Sequence, residues 1–278
     1  MPTVASLSSI PSRFSRLPEV LTSLLDQDIG FDEVRLYLPK RYRRFPDYDG
    51  SLPAVPKGVR IIQVEEDLGP ASKVLFAAKD LAGSDCDIFY CDDDHIYAPH
   101  RVSRMVAQRA GRLDHCITAS YETLSAGSVM SMPSHRPGPV LRERGRAYHL
   151  QKSARTIIAR MINRPFLRSQ HFFKPVATGG YVDIALGVGG VLVRPEFFDD
   201  QFYDIPPILW TVDDYWLSGN FARKGVPIWV VANFTWPMTL GTSTIDALYL
   251  SAFDGADRQA ANAACVRYMQ ETYGVWQP

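Results

Sequence analysis

The sequence predicts an α/β fold with a mostly parallel central sheet flanked by helices. Two observations carry this expectation. Short apolar strands alternate with amphipathic helices through the first 120 residues, the pattern of a helix-covered parallel sheet. One of those strands, Ile88-Phe89-Tyr90-Cys91, lacks polar alternation, as a strand buried on both faces does, and runs straight into Asp92-Asp93-Asp94. Ligands of open α/β sheets collect beyond the carboxyl ends of the strands, so dense negative charge falls where such a fold places its chemistry. Three adjacent carboxylates repel one another unless a cation or hydrogen-bond donors sit among them. A solvated acidic turn is the plainer alternative.

In chain order, Thr3 to Leu7 reads as a strand and Ser8 to Arg13 as a turn. A helix follows, with Ser15 suited to its N-cap and Pro18 and Glu19 to its first turn. Leu17, Val20, Leu21, Leu24 and Leu25 form its apolar stripe. Val34 to Leu38 and Val59 to Val64 are the next strands, separated by a basic, proline-bearing loop. Ala71 to Leu81 is a helix that carries Lys73. After the acidic strand come a helix over Pro99 to Gly111 and a strand over Cys116 to Ser120. This half is Rossmann-like, yet no GxGxxG follows the first strand, which argues against a dinucleotide dehydrogenase.

The second half is less regular. Arg136 to Arg168 holds nine Lys or Arg and one acid, Glu143, and reads as a helical basic insertion. Its charge suits either plain solvation or an anionic acceptor or phospholipid surface. Base-stacking aromatics are sparse there, so nucleic acid is not expected. Gly187-Val188-Gly189-Gly190-Val191-Leu192-Val193 reads as a glycine-bearing strand, where glycine marks a bulge or the close approach of a backbone or ligand. Asp213-Asp214 opens a helix ending near Gly225, and Thr211 or Asp213 could simply cap it. Ile228 to Val231 is a strand, and a terminal helix spans about 257 to 272.

Composition sets bounds. The chain has 278 residues, 46% of them hydrophobic, and thirty basic residues balance thirty acidic ones, as in an ordinary soluble globule. Cys86, Cys91, Cys116 and Cys265 form no zinc spacing and read as buried thiols of a reducing compartment. No signal peptide and no membrane span is expected, which predicts a cytoplasmic protein, with peripheral membrane contact through 136–168 as an option.

Four features in this order resemble the GT-A fold glycosyltransferases, family 2-like, which use nucleotide-sugar donors. Ala5 to Gln27 looks like their first strand, donor-binding turn and helix. Asp67-Leu68-Gly69-Pro70-Ala71-Ser72-Lys73 resembles a donor-side segment with a cation. Asp92-Asp93-Asp94 is similar to the DxD motif, and Asp213-Asp214 to the acidic acceptor-side motif at a helix start. The resemblance implies one domain over 1–278, with a donor half over 1–120 and an acceptor half over 121–278.

It also implies roles. Asp94, with Asp92, would hold Mn²⁺ or Mg²⁺. Ser8, Pro11, Arg13, Asp67, Lys73, Asp92 and Asp93 would bind the nucleotide-sugar. Gly189, Gly190 and Trp210 would contact the acceptor, and Asp214, or else Asp213, would take the proton of the attacking hydroxyl. The implied reaction moves a sugar, with inversion, from a nucleoside-diphosphate donor, a UDP-sugar first, to a glycan or lipid-linked hydroxyl. Two departures stand out. No histidine follows His171 to complete the metal shell, and Leu38-Pro39-Lys40 stands where an acid reads the base, leaving Asp67 as the substitute. A nucleotidyltransferase or diphosphate-cleaving enzyme on a similar sheet is the second expectation, and a non-catalytic carbohydrate- or polyanion-binding module the third.

Overall fold

The structure, a computed structural model, describes residues 1–124, 142–143, 176–234, 236–247 and 258–277. Its strands are β1 (Thr3–Ser8), β2 (Glu33–Pro39), β3 (Val59–Val64), β4 (Asp87–Tyr90), β5 (His95–Ile96), β6 (Cys116–Thr118), β7 (Tyr121–Glu122), β8 (Arg142–Glu143), β9 (Val176–Thr178), β10 (Gly180–Val182), β11 (Ile184–Ala185), β12 (Val191–Val193), β13 (Ile228–Val230) and β14 (Met238–Thr239). Its helices are α1 (Leu17–Leu25), α2 (Ser72–Asp80), α3 (Arg101–Arg109), α4 (Asp213–Arg223) and α5 (Arg258–Tyr273).

Eight strands form one sheet in the order β3-β2-β1-β4-β12-β6-β13-β10. The pairs β3–β2, β2–β1, β1–β4 and β6–β13 are parallel. β12 runs against β4 and β6, and β10 against β13. The expected mostly parallel, helix-flanked sheet is therefore present, and both halves of the chain contribute strands to it. β4 lies near the centre, so the aspartates that follow it leave the sheet at its middle.

Side-chain alternation splits the core into two layers. Phe89, Leu36, Ile117 and Leu192 pack with the Leu17, Val20, Leu21 and Leu24 stripe of α1. Ile88, Tyr90, Val191 and Val193 pack on the other face with Val74, Leu75 and Ala78 of α2 and Leu217 and Phe221 of α4. Neighbouring residues of β4 thus serve opposite layers, as the two-residue period of a strand requires. This double burial is why Ile88 to Cys91 reads as an unbroken apolar run. A third cluster joins Trp216 of α4 to Ala261, Cys265 and Met269 of α5.

Several sequence expectations are corrected. Ser15 does not cap α1; Arg16 holds that position without a side-chain cap bond, and instead contacts Glu19 in the first turn. Neither Thr211 nor Asp213 caps α4, because Val212 is the N-cap residue and Asp213 already lies inside the helix. The glycine-bearing strand divides: Gly187–Gly189 is a 3-10 turn, and only Val191–Val193 joins the sheet. Most of the basic insertion lies outside the described residues; its Arg142–Glu143 forms a short antiparallel ladder with β9 rather than a helix.

Gly189 and Gly190, expected at the acceptor, stand in tight packing contacts. A Cβ on Gly189 would meet Ser120 Oγ at 2.1 Å, and its carbonyl accepts from buried Arg101 at 2.7 Å. Gly190 has φ 83° and ψ 140°, a conformation essentially closed to other residues, and a Cβ there would lie 2.5 Å from the Phe89 ring. Gly83 has a similar positive φ but open space around it. Gly190→Ala is therefore expected to lose roughly 2–5 kcal/mol, strain and overpacking together, against roughly 1–2 kcal/mol for Gly83→Ala. Urea unfolding of the two variants decides it, and equal losses would show that the Phe89 contact does not constrain the backbone.

Candidate active site

The loops after β1, β2 and β3, the turn after β4 and the start of α4 enclose a cavity of about 660 Å³. It opens at the carboxyl ends of the parallel strands, where the backbone amides and side chains of successive loops converge. Of the residues the sequence singled out, Ser8, Arg13, Asp67, Lys73, Asp92, Asp93, Asp94, Trp210, Asp213 and Asp214 line it. Pro11, Gly189 and Gly190 do not. Pro11 opens the 3-10 turn that aims Arg13 inward.

The carboxylates divide into two groups, each around its own cation. In the first, Asp93 Oδ2 accepts from Ser9 Oγ at 2.5 Å, and Asp93 Oδ1 from Arg13 Nη1 at 2.7 Å. The same Arg13 nitrogen stands 3.2 Å from Asp94 Oδ2, and His95 Nδ1 stands 2.5 Å from Asp94 Oδ1. Pairing of β5 with β14 sets Thr239 Oγ1 3.3 Å from His95 Nε2. Burial pushes the Asp93 carboxyl above its ordinary value despite Arg13. Burial acts on Asp94 too, but His95, Arg13 and Lys73 together outweigh it and hold that carboxyl low.

The second group surrounds Lys73. Its Nζ stands 2.7 Å from Asp92 Oδ1, 2.6 Å from Asp213 Oδ2 and 3.5 Å from Asp214 Oδ1. Burial works against the ammonium, but the three carboxylates more than offset it, so Lys73 stays protonated. Asp214 moves the other way. Burial, with Asp213 and Asp92 adding like charge against the pull of Lys73, raises its carboxyl to about 7. The Gly187 amide donates to Asp214 Oδ1 at 3.0 Å. A Cβ on Gly187 would lie 2.2 Å from Lys73 Nζ and 2.8 Å from Asp92 Oδ1, so this is the glycine the site requires. The sequence placed it within the right run of glycines and picked its neighbours.

Asp67 and Trp210 build one wall. Asp67 accepts from the backbone amides of Arg43 and Gly69, both at 2.8 Å, which braces the loop after β3. Trp210 Nε1 donates to the Asp67 carbonyl at 3.0 Å, and the Arg43 guanidinium lies 5.3 Å from the Trp210 ring centroid. Gly69, at φ 63°, is pressed against that indole. Trp210 thus stands with the loop after β3. The cavity also takes in Arg44, His95, Leu186, Val188, Trp236 and Arg258, which the sequence did not single out. His95 had a signal, adjacency to the aspartates; Arg44 and Arg258 had none, since a lone arginine carries no pattern.

Among the described residues no three His, Cys, Asp or Glu side chains are grouped to hold a metal by themselves. The donor chemistry fits a hard divalent ion in a narrower sense. Asp92 commits only Oδ1 to Lys73 and its side chain is 30% exposed, which leaves Oδ2 for an ion, whereas both Asp94 oxygens already meet His95 and Arg13 and would have to be shared with it. Such an ion would complete its shell with phosphate oxygens and water.

Lys73 carries the burden of this arrangement, since removing one partner of a buried ion cluster leaves charge uncompensated. Lys73→Met is expected to cost about 3–5 kcal/mol at pH 8, and adding Asp213→Asn to recover much of it. Denaturant unfolding of wild type, single and double variants measures both; a Lys73→Met protein of wild-type stability would refute the role.

No family model matches this chain, and no curated protein matches it. Among solved structures it is similar to Staphylococcus aureus TarS, at 14% identity over 87% of this chain, with a TM-score of 0.45. TarS 1–349 in complex with UDP is 12% identical over 98% of this chain and 72% of that one, TM-score 0.45. The complex with UDP-GlcNAc is 12% identical over 85% and 58%, TM-score 0.45. The chain spans only 37% of the longer TarS chain. A likeness this distant assigns neither an activity nor site residues.

Proposed function

We propose that this chain is a glycosyltransferase that moves a sugar from a nucleoside-diphosphate donor to an acceptor hydroxyl, with inversion. One observation supports this above the rest. A buried carboxyl with its pKa near 7, Asp214, stands across a single lysine from the acidic turn that ends the central strand. That juxtaposes a proton acceptor with a place for a diphosphate, the two things glycosyl transfer needs. We read residues 1–120 as the donor half and 121–278 as the acceptor half of one domain.

In this reading Ser8, Arg13 and the braced loop at Asp67 receive the nucleotide. Arg13 reaches the acidic turn and has donors for phosphate oxygens. Mn²⁺ or Mg²⁺ held by Asp92 and Asp94 would, when bound, neutralise charge developing on the leaving diphosphate. Asp214 accepts the acceptor hydroxyl proton as the oxygen forms its bond to the anomeric carbon. The bond from that carbon to the β-phosphate oxygen breaks, and its electron pair leaves with the nucleoside diphosphate. The Gly187 amide and Lys73 hold Asp214 in place. Asp213, closest to Lys73, supports the lysine. A uridine donor and a glycan or lipid-linked hydroxyl are the first substrates to test. The expectation that residues 136–168 favour an anionic acceptor or a membrane surface concerns residues mostly outside the described ones. Among those described, no helix is long and apolar enough to cross a membrane.

Incubation with UDP-sugars and Mn²⁺, followed by phosphorus NMR, tests the reaction class. Slow release of UDP and free sugar is expected. Release of a monophosphate or pyrophosphate would replace transfer with nucleotidyl or diphosphate chemistry, and no release would favour a binding module.

The same assay reads the base. Asp214→Asn is expected to lower turnover by roughly 10² to 10⁴-fold while leaving UDP affinity within about twofold. Wild-type turnover in that variant would return Asp214 to a structural role. Because the base must be ionised, turnover should rise with pH through about 7. Stability runs the opposite way: a carboxyl raised above its unfolded value adds stability at low pH that is lost as pH rises through about 7. Asp214→Asn should remove both dependences, and a rate profile unchanged by the substitution would contradict the assignment.

A further inference from the structure

Most of the cavity's charged side chains gather in two clusters, with Asp67 and Asp246 apart from them. Asp92, Asp213 and Asp214 surround Lys73, while Asp93 and Asp94 surround Arg13 and His95. Asp67 accepts from two backbone amides. Two arginines on the wall, Arg44 and Arg258, make no ion pair among the described residues. Arg44 donates to the Asp246 carbonyl at 2.9 Å and feels Asp246, Arg13 and Asp67, which puts it at the nucleotide end. The charge of Arg258 bears on Asp214 and Tyr215.

Arg258 is also poorly used as a structural residue. Its hydrogen bond among the described residues is a long one, 3.4 Å from Nη1 to the Thr211 carbonyl. A guanidinium offers five donors in a planar fork, so most of them remain for a ligand. It lies on the helix α5 and stands half-buried on the cavity wall. A half-buried cation in that position gains from an anion brought to it. On the same cavity wall, Leu186 and Val188 flank the Gly187 amide that holds Asp214, which gives apolar surface next to the candidate base.

We infer that Arg258 forms an anion subsite of the acceptor, so that the acceptor carries a carboxylate or phosphoester close to the hydroxyl that attacks. This rests on the glycosyltransferase reading of the same cavity. The arginine binds the charged group and Leu186 and Val188 cover the sugar's apolar face. The hydroxyl is thereby oriented towards Asp214. A neutral acceptor lacks that anchor.

Calorimetry on the full chain, with and without UDP, tests this with three compounds: methyl β-glucuronide, glucose 6-phosphate and methyl β-glucoside. One anionic compound is expected to bind at least about tenfold more tightly than the neutral glucoside, the scale of a charge-assisted contact. Preference for the glucuronide identifies a carboxylate, and preference for the phosphate a phosphoester. Arg258→Gln, shown by its melt to be folded, should abolish the preference, and Arg258→Lys should keep part of it. Equal binding of all three, no binding of either anion, or a preference that survives Arg258→Gln overturns the subsite. A loss of UDP affinity in Arg258→Gln matching the loss of anion affinity makes Arg258 a donor ligand instead and also overturns it. Failure of wild type to bind UDP, with the anion preference intact, counts against the glycosyltransferase reading and leaves the subsite standing.

Discussion

Lys73 and its three carboxylates are the interaction on which the rest of the site depends. A fully buried ammonium is expensive to desolvate, and only close opposite charge offsets the cost. Asp92, Asp213 and Asp214 supply that charge from two parts of the chain, at 2.6 to 3.5 Å. The lysine in turn permits three acids to gather where they would otherwise repel. Nearby geometry follows from this. Gly187 has no side chain because Lys73 and Asp92 fill the space a Cβ would need. Its amide faces Asp214 because the 3-10 turn that begins there brings it up to α4.

The arrangement gives the two acidic segments different chemical characters. Arg13 and His95 keep the Asp93–Asp94 turn anchored to the loop after β1 and to β14. Asp214 is buried among like charges and is held near neutrality in proton affinity. Carboxylates whose environments push their proton affinities apart are suited to different tasks, one to charge binding and one to proton transfer. Lys73 sits between them and touches both. A change of charge at Asp92 would therefore be felt at Asp214 through one shared cation.

The fold was legible where burial writes a long pattern. The α1 stripe, the limits of β3 and the apolar run of β4 each reflect a pattern carried by several consecutive residues. The two-residue ladders β5, β7, β8, β11 and β14 are too short to carry a period, so they left no trace. The acidic turn was legible as chemistry because three carboxylates at the end of a buried strand need an explanation. The pairing of that turn with Lys73 and Asp214, each singled out separately, was not. Lys73 and Asp214 are 141 positions apart, and only tertiary packing brings them together. Helix caps were misread at Ser15 and Asp213 because capping depends on where the first helical dihedral falls, which composition does not settle. Trp210 is three positions from Asp213 in sequence, yet its ring bonds to the loop after β3.

The central claim is that the acidic turn and Asp214 form one electrostatic unit through Lys73. Carbon NMR of the side-chain carboxyl of Asp214, followed through a pH titration in wild type and in Asp92→Asn, measures this directly. Wild type should titrate near 7, and Asp92→Asn should titrate lower, because it removes a negative charge and frees Lys73 to attend to Asp214. An Asp214 that titrates as an ordinary carboxylate in both proteins, or one indifferent to Asp92, would contradict it.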